Sequence, residues 1–374
     1  MIVVKNDNLL TMNQISILHF VECLFCYIFV PNFYGIYMRK IILWVAWGML
    51  ILGATISLCF IYDVHLDGYQ VCGESNINYE VTGQFGDYLG GVVGTLFTFA
   101  GTLLMVLTFK EQSKQNKIES FETKFYEMLH LHKENVNEIQ VNDKKGRKAI
   151  EFLFYQLRDI YKIVEAAANE IENVPLPMHD PEETERFSKM KRYLSDPTYK
   201  LKLLHDLSYG YFFYGVQNYY LTKDKQDIRF DIKVDITAIL VANRTSKDLF
   251  ASPHNSVLGH YFRHLYQTIR YIADDKDLKE NQKYNYAKMV RAQLSDFEQA
   301  LLYYNSLSIM GNSWIRSIDK RKIGKMCLIA RFRLIKNIPY YFEYFGIHPG
   351  DFFSIEKEVW EQHNKDFFEL DLPN

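Results

Sequence analysis

Two long, uninterrupted runs of apolar residues lie in the first third of the chain, at positions 41–62 and 88–109. Neither run contains an acidic or basic side chain. A helix of about 22 residues is roughly 33 Å long, which is enough to cross the ~30 Å hydrocarbon layer of a bilayer. The pattern therefore predicts two membrane-spanning helices that are joined by a short loop.

After Lys110 the pattern changes to apolar residues that recur every three or four positions among polar ones. This period is typical of amphipathic helices that bury one face, and strand signals are few. The predicted fold is all-α, with a two-span transmembrane helical hairpin followed by a cytosolic helical domain. The helices of that domain are predicted at 110–139, 148–172, 185–194, 199–220, 228–242, 257–273, 281–307, 320–345 and 354–367. A short strand within 228–242 is the alternative there, and a break near Pro339 is expected within 320–345.

This organisation predicts three parts: residues 1–37, a hairpin at 38–109, and a domain at 110–374. A third apolar run, 15–30, is short for a span and contains His19 and Glu22. Because Met38 is followed by two basic residues and a clean apolar run, residues 1–37 are interpreted as an upstream extension of the natural start. A marginal membrane segment is the alternative interpretation.

Charge then indicates how the hairpin is oriented. The loop 63–87 has acidic residues and no Lys or Arg, whereas Arg39, Lys40 and Lys110 flank the two spans. Basic residues beside spans mark the cytoplasmic side. Both ends of the hairpin are therefore expected in the cytoplasm. The net charge of −2 gives no global polycation, so we expect no DNA partner.

Small residues recur at the start of the second span. Gly86, Gly90 and Gly94 are spaced by four residues, and this spacing lets two helix backbones approach closely. We expect these glycines to mediate helix packing. The partner is either the first span of the same chain or the second span of another copy.

The segment 259–272 concentrates residues that carry chemistry. His260 and His264 lie one helical turn apart, with Arg263 beside them. A histidine pair can act as acid and base on RNA while an arginine steadies a phosphate, or it can bind a metal. The spacing also fits a structural hydrogen-bonded cluster. No local carboxylate completes a ligand set, so we predict no metal site.

The segment 286–305 is predicted as one long helix, in which Arg291 and Glu298 share a side. Together with the histidine segment it provides the candidate catalytic residues, although a buried structural network is the alternative. There is no phosphate-binding loop, dinucleotide fingerprint or HExxH motif, so no cofactor is predicted. These residues do not decide whether the protein is an enzyme.

A basic stretch, 316–336, carries eight cations and one acid, Asp319. It is predicted as a helix that binds RNA phosphates or anionic lipid, or as a solvated face that balances acids elsewhere. Its cations are Arg316, Lys320, Arg321, Lys322, Lys325, Arg331, Arg333 and Lys336.

Four segments in this order, 83–112, 121–132, 259–272 and 286–308, resemble the putative phage abortive infection family. The resemblance covers about 38–345. It implies a bacterial membrane-anchored protein. Together with the spans and the flanking charges, the expected location is the bacterial inner membrane, multi-pass, with the N-terminus and C-terminal domain in the cytoplasm. It also implies a role in abortive infection, in which the infected cell stops growing or dies. It carries over no catalytic residue.

The function hypothesis is thus a membrane-anchored effector or sensor of abortive phage defence. An RNase-like toxin and a non-enzymatic, membrane-disrupting oligomer are the alternative mechanisms. The expected partners are inner-membrane lipid, a second copy through the second span, and RNA or a phage component.

The charge pattern makes a prediction about topology. A green fluorescent protein fused after Phe109 should fluoresce, and alkaline phosphatase inserted near Gly73 should be active, because only the loop is expected outside the cytoplasm. Fluorescence and phosphatase activity in whole cells measure both. The reverse pattern at both sites would contradict the proposed orientation.

Overall fold

The structure, a computed structural model, describes residues 35–66, 79–176, 180–216, 228–242, 253–338 and 342–369. It divides the chain into two compact units, residues 1–120 and 121–374. Strand pairing in the described residues is limited to one two-stranded hairpin, so the predicted all-α class is confirmed. The third apolar run, 15–30, lies outside the described residues.

The first unit is built from long helices. Helix α1 covers Gly35–Leu66, helix α2 covers Tyr79–Tyr88, and a π-helical turn at Leu89–Val93 leads into helix α3, Gly94–Glu138. Within the described residues, the two helical stretches Arg39–Asp63 and Gly86–Glu138 are long and apolar enough to cross a membrane. Only 17% of the most apolar window of each is buried in the protein. Packing against the described residues therefore does not account for their apolar surface.

Contacts along the hairpin place the two helices antiparallel. Ala46 and Ala100 are fully buried in one small core, which also contains Ile42 and Leu103. Further along α1, Phe60 stacks on Tyr88 with ring centroids 4.5 Å apart. Along the pair, the numbers of the contacting residues increase on α1 and decrease on the facing helices, as expected for two spans joined by a short loop.

Hydroxyl groups in these helices donate hydrogen bonds to backbone carbonyls of the same helix. Thr98 Oγ1 donates to the Gly94 carbonyl at 2.8 Å, and Thr102 Oγ1 donates to the Thr98 carbonyl at 2.9 Å. Ser57 on α1 donates to the Gly53 carbonyl in the same way. Because such a hydroxyl needs no outside partner, it is compatible with an apolar surrounding.

The close approach of the two spans uses a different glycine from those predicted. A Cβ atom added to Gly53 would lie 2.7 Å from Phe97 Cε1, so the ring of Phe97 occupies the space that Gly53 leaves. In contrast, a Cβ added to Gly86 or Gly90 would meet none of the described atoms within 4 Å, and at Gly94 only the Leu89 carbonyl of its own helix at 3.6 Å.

The second unit contains the end of α3 and a series of shorter elements. A hairpin follows α3, with β1 at Gln140–Val141 and β2 at Lys144–Lys145, in the register Gln140↔Lys145 and Val141↔Lys144. The helices are α4 Arg147–Asn173, α5 Pro181–Leu194, α6 Pro197–Tyr214, α7 Ile228–Ala242, α8 Asn255–Asp274, α9 Glu280–Arg291, α10 Asp296–Leu307, α11 Leu328–Phe332, α12 Pro349–Phe352 and α13 Ser354–Gln362.

Aromatic rings fill the core of this unit. Tyr304 lies parallel to Phe345 with centroids 4.0 Å apart, and its hydroxyl accepts a hydrogen bond from the Phe345 amide at 3.0 Å. Phe154 on α4 contacts Phe297 and Phe342. Each buried ring removes a large apolar area from water, so helices α4 and α10 form the centre around which the others pack.

The single helix predicted over 281–307 is wrong, because the chain breaks it at 292–295. The Ser295 amide donates to Glu298 Oε2 at 2.8 Å, and the Glu298 amide donates to Ser295 Oγ at 3.4 Å. This reciprocal pair is a capping box, which starts a new helix at Asp296. Arg291 ends α9 and Glu298 begins α10, so the two side chains do not share a helix face.

The helix predicted over 320–345, with a break near Pro339, is also wrong. In its place the chain forms a 3-10 turn at Ile323–Lys325 and the short helix α11. Helix α11 stops because Arg333 adopts the left-handed conformation, with φ of 48°. Residues that leave the right-handed region this way end a helix and turn the chain.

The packing at Gly53 makes a prediction. In a chain whose Cys23, Cys26, Cys59 and Cys72 are replaced by serine, Ala46→Cys and Ala100→Cys should form a disulfide on mild oxidation. Adding Gly53→Leu should reduce the yield at least severalfold, because leucine displaces the Phe97 ring and separates the helices.

The matched control is Gly48→Leu, since a Cβ at Gly48 meets none of the described atoms within 4 Å. The disulfide yield, read by mass spectrometry after proteolysis, should be unchanged in this control. Equal yields for Gly53→Leu and Gly48→Leu would contradict the packing.

Candidate functional site

A buried polar cluster lies where the end of α3, the start of α4, helix α8 and the start of α10 meet. Its centre is the carboxylate of Glu298, which is fully buried. The capping box fixes the position of this carboxylate, because Oε2 accepts a hydrogen bond from the Ser295 amide. A buried carboxylate needs further partners, since losing water costs several kcal/mol for an ion.

Those partners come from other helices. The Tyr261 hydroxyl on α8 donates to Glu298 Oε1 at 3.0 Å, and Arg147 Nε at the start of α4 lies 3.7 Å from Oε2. Burial, followed by the neighbouring Glu298, raises the pKa of Tyr261 well above its usual value. The phenol therefore stays protonated and remains a donor to the carboxylate.

His132, at the end of α3, is the least satisfied member of the cluster. Its side chain is 1% exposed, and neither ring nitrogen has a hydrogen-bond partner. Nε2 lies 3.9 Å from Glu298 Oε1, within ion-pair distance if the ring were charged. Burial, with smaller effects from His264 and Arg147, lowers the pKa of His132 to about 4. The ring is therefore neutral at neutral pH, and the contact is not an ion pair.

His264 continues the cluster towards solvent. Its ring is nearly parallel to that of His132, at 14°, with centroids 6.3 Å apart. Nδ1 of His264 is buried without a hydrogen-bond partner. Burial, together with the neighbouring His260, lowers the pKa of His264. A neutral imidazole that is partly exposed is able to accept a proton.

Solvent reaches the cluster at its edge. The Arg147 side chain is 63% exposed, and its Nη2 donates to the Gln293 carbonyl at 2.9 Å. Arg147 and His264 can thus contact a solute, whereas Glu298, Tyr261 and His132 are buried beneath them. The arrangement provides a cation, Arg147, beside the buried carboxylate, and a proton acceptor, His264, beside the buried His132 ring.

The structure brings together only part of the predicted candidate set. His264 and Glu298 belong to the cluster, and His260 and Arg263 are exposed on the same helix as His264. Arg291 lies elsewhere: it is buried, and its Nη1 donates to the Arg333 carbonyl at 3.1 Å. Its role there is to hold the turn after α11.

The predicted basic stretch separates into two groups. Arg331 makes two hydrogen bonds to Glu280, at 3.1 and 2.6 Å. The Arg333 guanidinium packs between the rings of Tyr284 and Trp360, 5.1 and 4.6 Å from their centroids. Lys336 is half-buried. The remaining exposed cations are Arg316, Lys320, Arg321, Lys322 and Lys325.

Sequence reasoning missed His132, Arg147 and Tyr261. The signal for His132 was its place on the apolar stripe of α3, one turn after Met128 and Leu129. A histidine at a core position needs a polar neighbour or a function. No local signal points to Arg147. No group of three or more His, Cys, Asp or Glu side chains suited to a metal occurs in the part of the chain that the structure describes.

Fold and site together define an all-helical protein with two long apolar helices and a buried histidine–glutamate cluster. The model of the family described as "Putative phage abortive infection protein" matches residues 253–343, about a quarter of the chain. This is the family that the sequence resembles. No curated protein and no solved structure matches the chain. The matched part contains Tyr261, His264 and Glu298, but not His132 or Arg147.

The neutral state of His132 makes a prediction about pH. Its folded pKa, about 4, lies below the ordinary value of 6.5, so the unfolded chain takes up the proton first as pH falls. Wild-type protein should therefore lose stability from pH 6.5 down to 4, and His132→Leu should not lose this part. Relative to wild type, the variant should gain on the order of 2 kcal/mol between pH 7 and pH 5.

Urea unfolding in detergent, followed by tryptophan fluorescence at both pH values, measures the difference. His130→Leu is the matched control, because His130 lies on the same helix and its side chain is 71% exposed. If His132→Leu and wild type show parallel pH profiles, His132 is not a buried neutral residue.

Proposed function

We propose that this protein is a membrane-anchored effector of abortive phage defence, which stops growth of the infected cell. The family match at residues 253–343 carries this proposal, because that segment contains the part of the cluster on α8 and α10. The two long apolar helices, whose surfaces are mostly unburied, support the anchoring. The basic residues beside the spans support an inner-membrane hairpin with the second unit in the cytoplasm.

The mechanism we favour is RNA cleavage at the edge of the histidine–glutamate cluster. Arg147 would bind the phosphate, since a guanidinium matches phosphate oxygens. His264 would accept the proton of the attacking 2′-hydroxyl, and an exposed neighbour, His260, would return a proton to the leaving 5′-oxygen. The products are a 2′,3′-cyclic phosphate and a 5′-hydroxyl, with no net proton change.

The buried residues have a positioning role in this mechanism. The Tyr261 hydroxyl donates to Glu298 Oε1 at 3.0 Å, and Glu298 Oε2 lies 3.7 Å from Arg147 Nε. These contacts position Arg147 at the edge of the cluster. Tyr261 and Glu298 are too deeply buried to touch an RNA chain. Arg291, whose Nη1 donates to the Arg333 carbonyl, is given no part in the proposed reaction.

A second candidate mechanism is membrane disruption by an oligomer. It is favoured by the second span, where a Cβ atom added to Gly86 or Gly90 would meet none of the described atoms within 4 Å. A glycine face of this spacing suits close packing against a second copy. A sensor that binds a phage component through the second unit is the remaining alternative.

Defence assays with matched variants test the proposal. His264→Ala and Arg147→Gln should abolish protection against phage, measured as efficiency of plaquing, while the protein still accumulates in membranes. His130→Ala is the control for losing an exposed histidine, and it should protect like wild type. Full protection by both cluster variants would rule out chemistry at this site.

The mechanism is read out in the same cells by propidium uptake and total RNA integrity. Cleaved RNA in sealed cells, absent in His264→Ala, is the result expected for the nuclease. Early propidium uptake with intact RNA, abolished by Gly90→Leu but not by Gly48→Leu, would instead establish the oligomer. Recovery of the protein in the soluble fraction would contradict the anchoring.

A further inference from the structure

An exposed loop at residues 316–325 combines cations with an apolar side chain. Ile318 is 87% exposed, the highest value among the exposed large apolar side chains of the described residues. Five basic residues and one acid surround it in the sequence. A single exposed isoleucine is unremarkable in many proteins. Its place within a basic loop is what calls for an explanation.

The backbone of this loop is held in a defined shape. The amides of Ile318 and Asp319 both donate to the Lys325 carbonyl, at 2.9 and 3.1 Å, which closes the loop. The Arg321 amide donates to Asp319 Oδ1 at 2.9 Å, and the Cys327 amide donates to Ser317 Oγ at 2.9 Å. Ile318 is thus held in solvent by an ordered turn.

One lysine of the loop contacts a buried carboxylate, whereas the other cations of the loop lie at the surface. Lys320 Nζ lies 3.7 Å from Oε1 of Glu356, a carboxylate that is 1% exposed. Lys322 Nζ lies 3.9 Å from Asp319 Oδ2. Arg316, Arg321 and Lys325 make no ion pair with any of the described residues, and all three are exposed. The loop therefore presents net positive charge around an apolar tip.

We propose that this loop docks on an anionic lipid surface, with Ile318 inserted at the level of the headgroups. Cations near an anionic leaflet each raise affinity about fivefold, and an apolar side chain adds to this by leaving water. RNA phosphates would satisfy the cations but offer nothing that requires an exposed aliphatic side chain. The chemistry of the tip therefore favours lipid over nucleic acid.

The proposal rests on the membrane anchoring proposed above, because anchoring keeps the second unit near the bilayer. A tethered partner binds at high effective concentration, so weak contacts suffice. The function would be to hold the second unit against the leaflet by a contact that depends on lipid charge and on salt. This contact is separate from the histidine–glutamate cluster.

The experiment uses the full chain in lipid nanodiscs, with Cys23, Cys26, Cys59 and Cys72 replaced by serine. Ile318→Cys carries an environment-sensitive nitrobenzoxadiazole dye, and Tyr199→Cys, at a side chain that is 54% exposed, carries it in the control. Phosphatidylcholine discs are compared with discs that also contain phosphatidylglycerol. A dye at position 318 should brighten at least twofold and shift to the blue only in the anionic discs.

Two further measurements complete the test. Arg321→Glu with Lys325→Glu should remove the change, and 0.5 M salt should weaken it, because screening shortens the reach of exposed charges. Failure of the chain to enter nanodiscs would overturn the anchoring itself. Entry without a lipid-dependent signal at position 318, or a signal that appears only on adding an RNA oligonucleotide, would overturn the docking proposal alone.

Discussion

The second unit depends on a carboxylate that has been taken out of water. Glu298 is fully buried, its two oxygens accept hydrogen bonds from a backbone amide and a phenol, and the Arg147 guanidinium lies 3.7 Å away. Removing the Tyr261 phenol leaves one oxygen of a buried carboxylate without its hydrogen bond, which is among the more destabilising changes a core can suffer. These neighbours come from α4, α8 and the turn before α10. The carboxylate therefore fixes the relative positions of these elements, and with them the edge formed by Arg147 and His264.

The family match covers only part of this folded unit. Residues 253–343 contain Glu298 and Tyr261, but the arginine beside the carboxylate and the histidine above it come from α4 and α3. The same segment supplies Tyr304, whose ring packs against Phe154 outside the match. Taken alone, the matched segment would expose this core and leave the carboxylate without Arg147. It is the centre of a domain and not a domain by itself.

Sequence patterns predicted elements well where one local rule decides the structure. Helix α7 was predicted at 228–242 and forms over Ile228–Ala242, and the two apolar runs form long helices. The break between α9 and α10 was missed although Ser295 and Glu298 have the spacing of a capping box. Apolar residues keep their helical spacing across this break, so the pattern alone predicted one helix. The cluster could not be predicted as a whole, because His132 and Glu298 are 166 positions apart and meet only through packing.

The basic stretch shows why charge in a sequence does not by itself define a surface. Eight cations lie within 21 residues, yet the left-handed turn at Arg333 takes the last part of the run into the protein. There the Arg333 side chain is buried, and aromatic faces replace its hydration. The first part stays outside because Lys320 is tied to buried Glu356 and the backbone closes on the Lys325 carbonyl. The last three cations of the stretch are thus partly or fully buried and stabilise the fold, whereas the first five stay exposed and available to a partner. Since only the outer half carries an exposed isoleucine, the search for that partner belongs at residues 316–325 and not along the whole stretch.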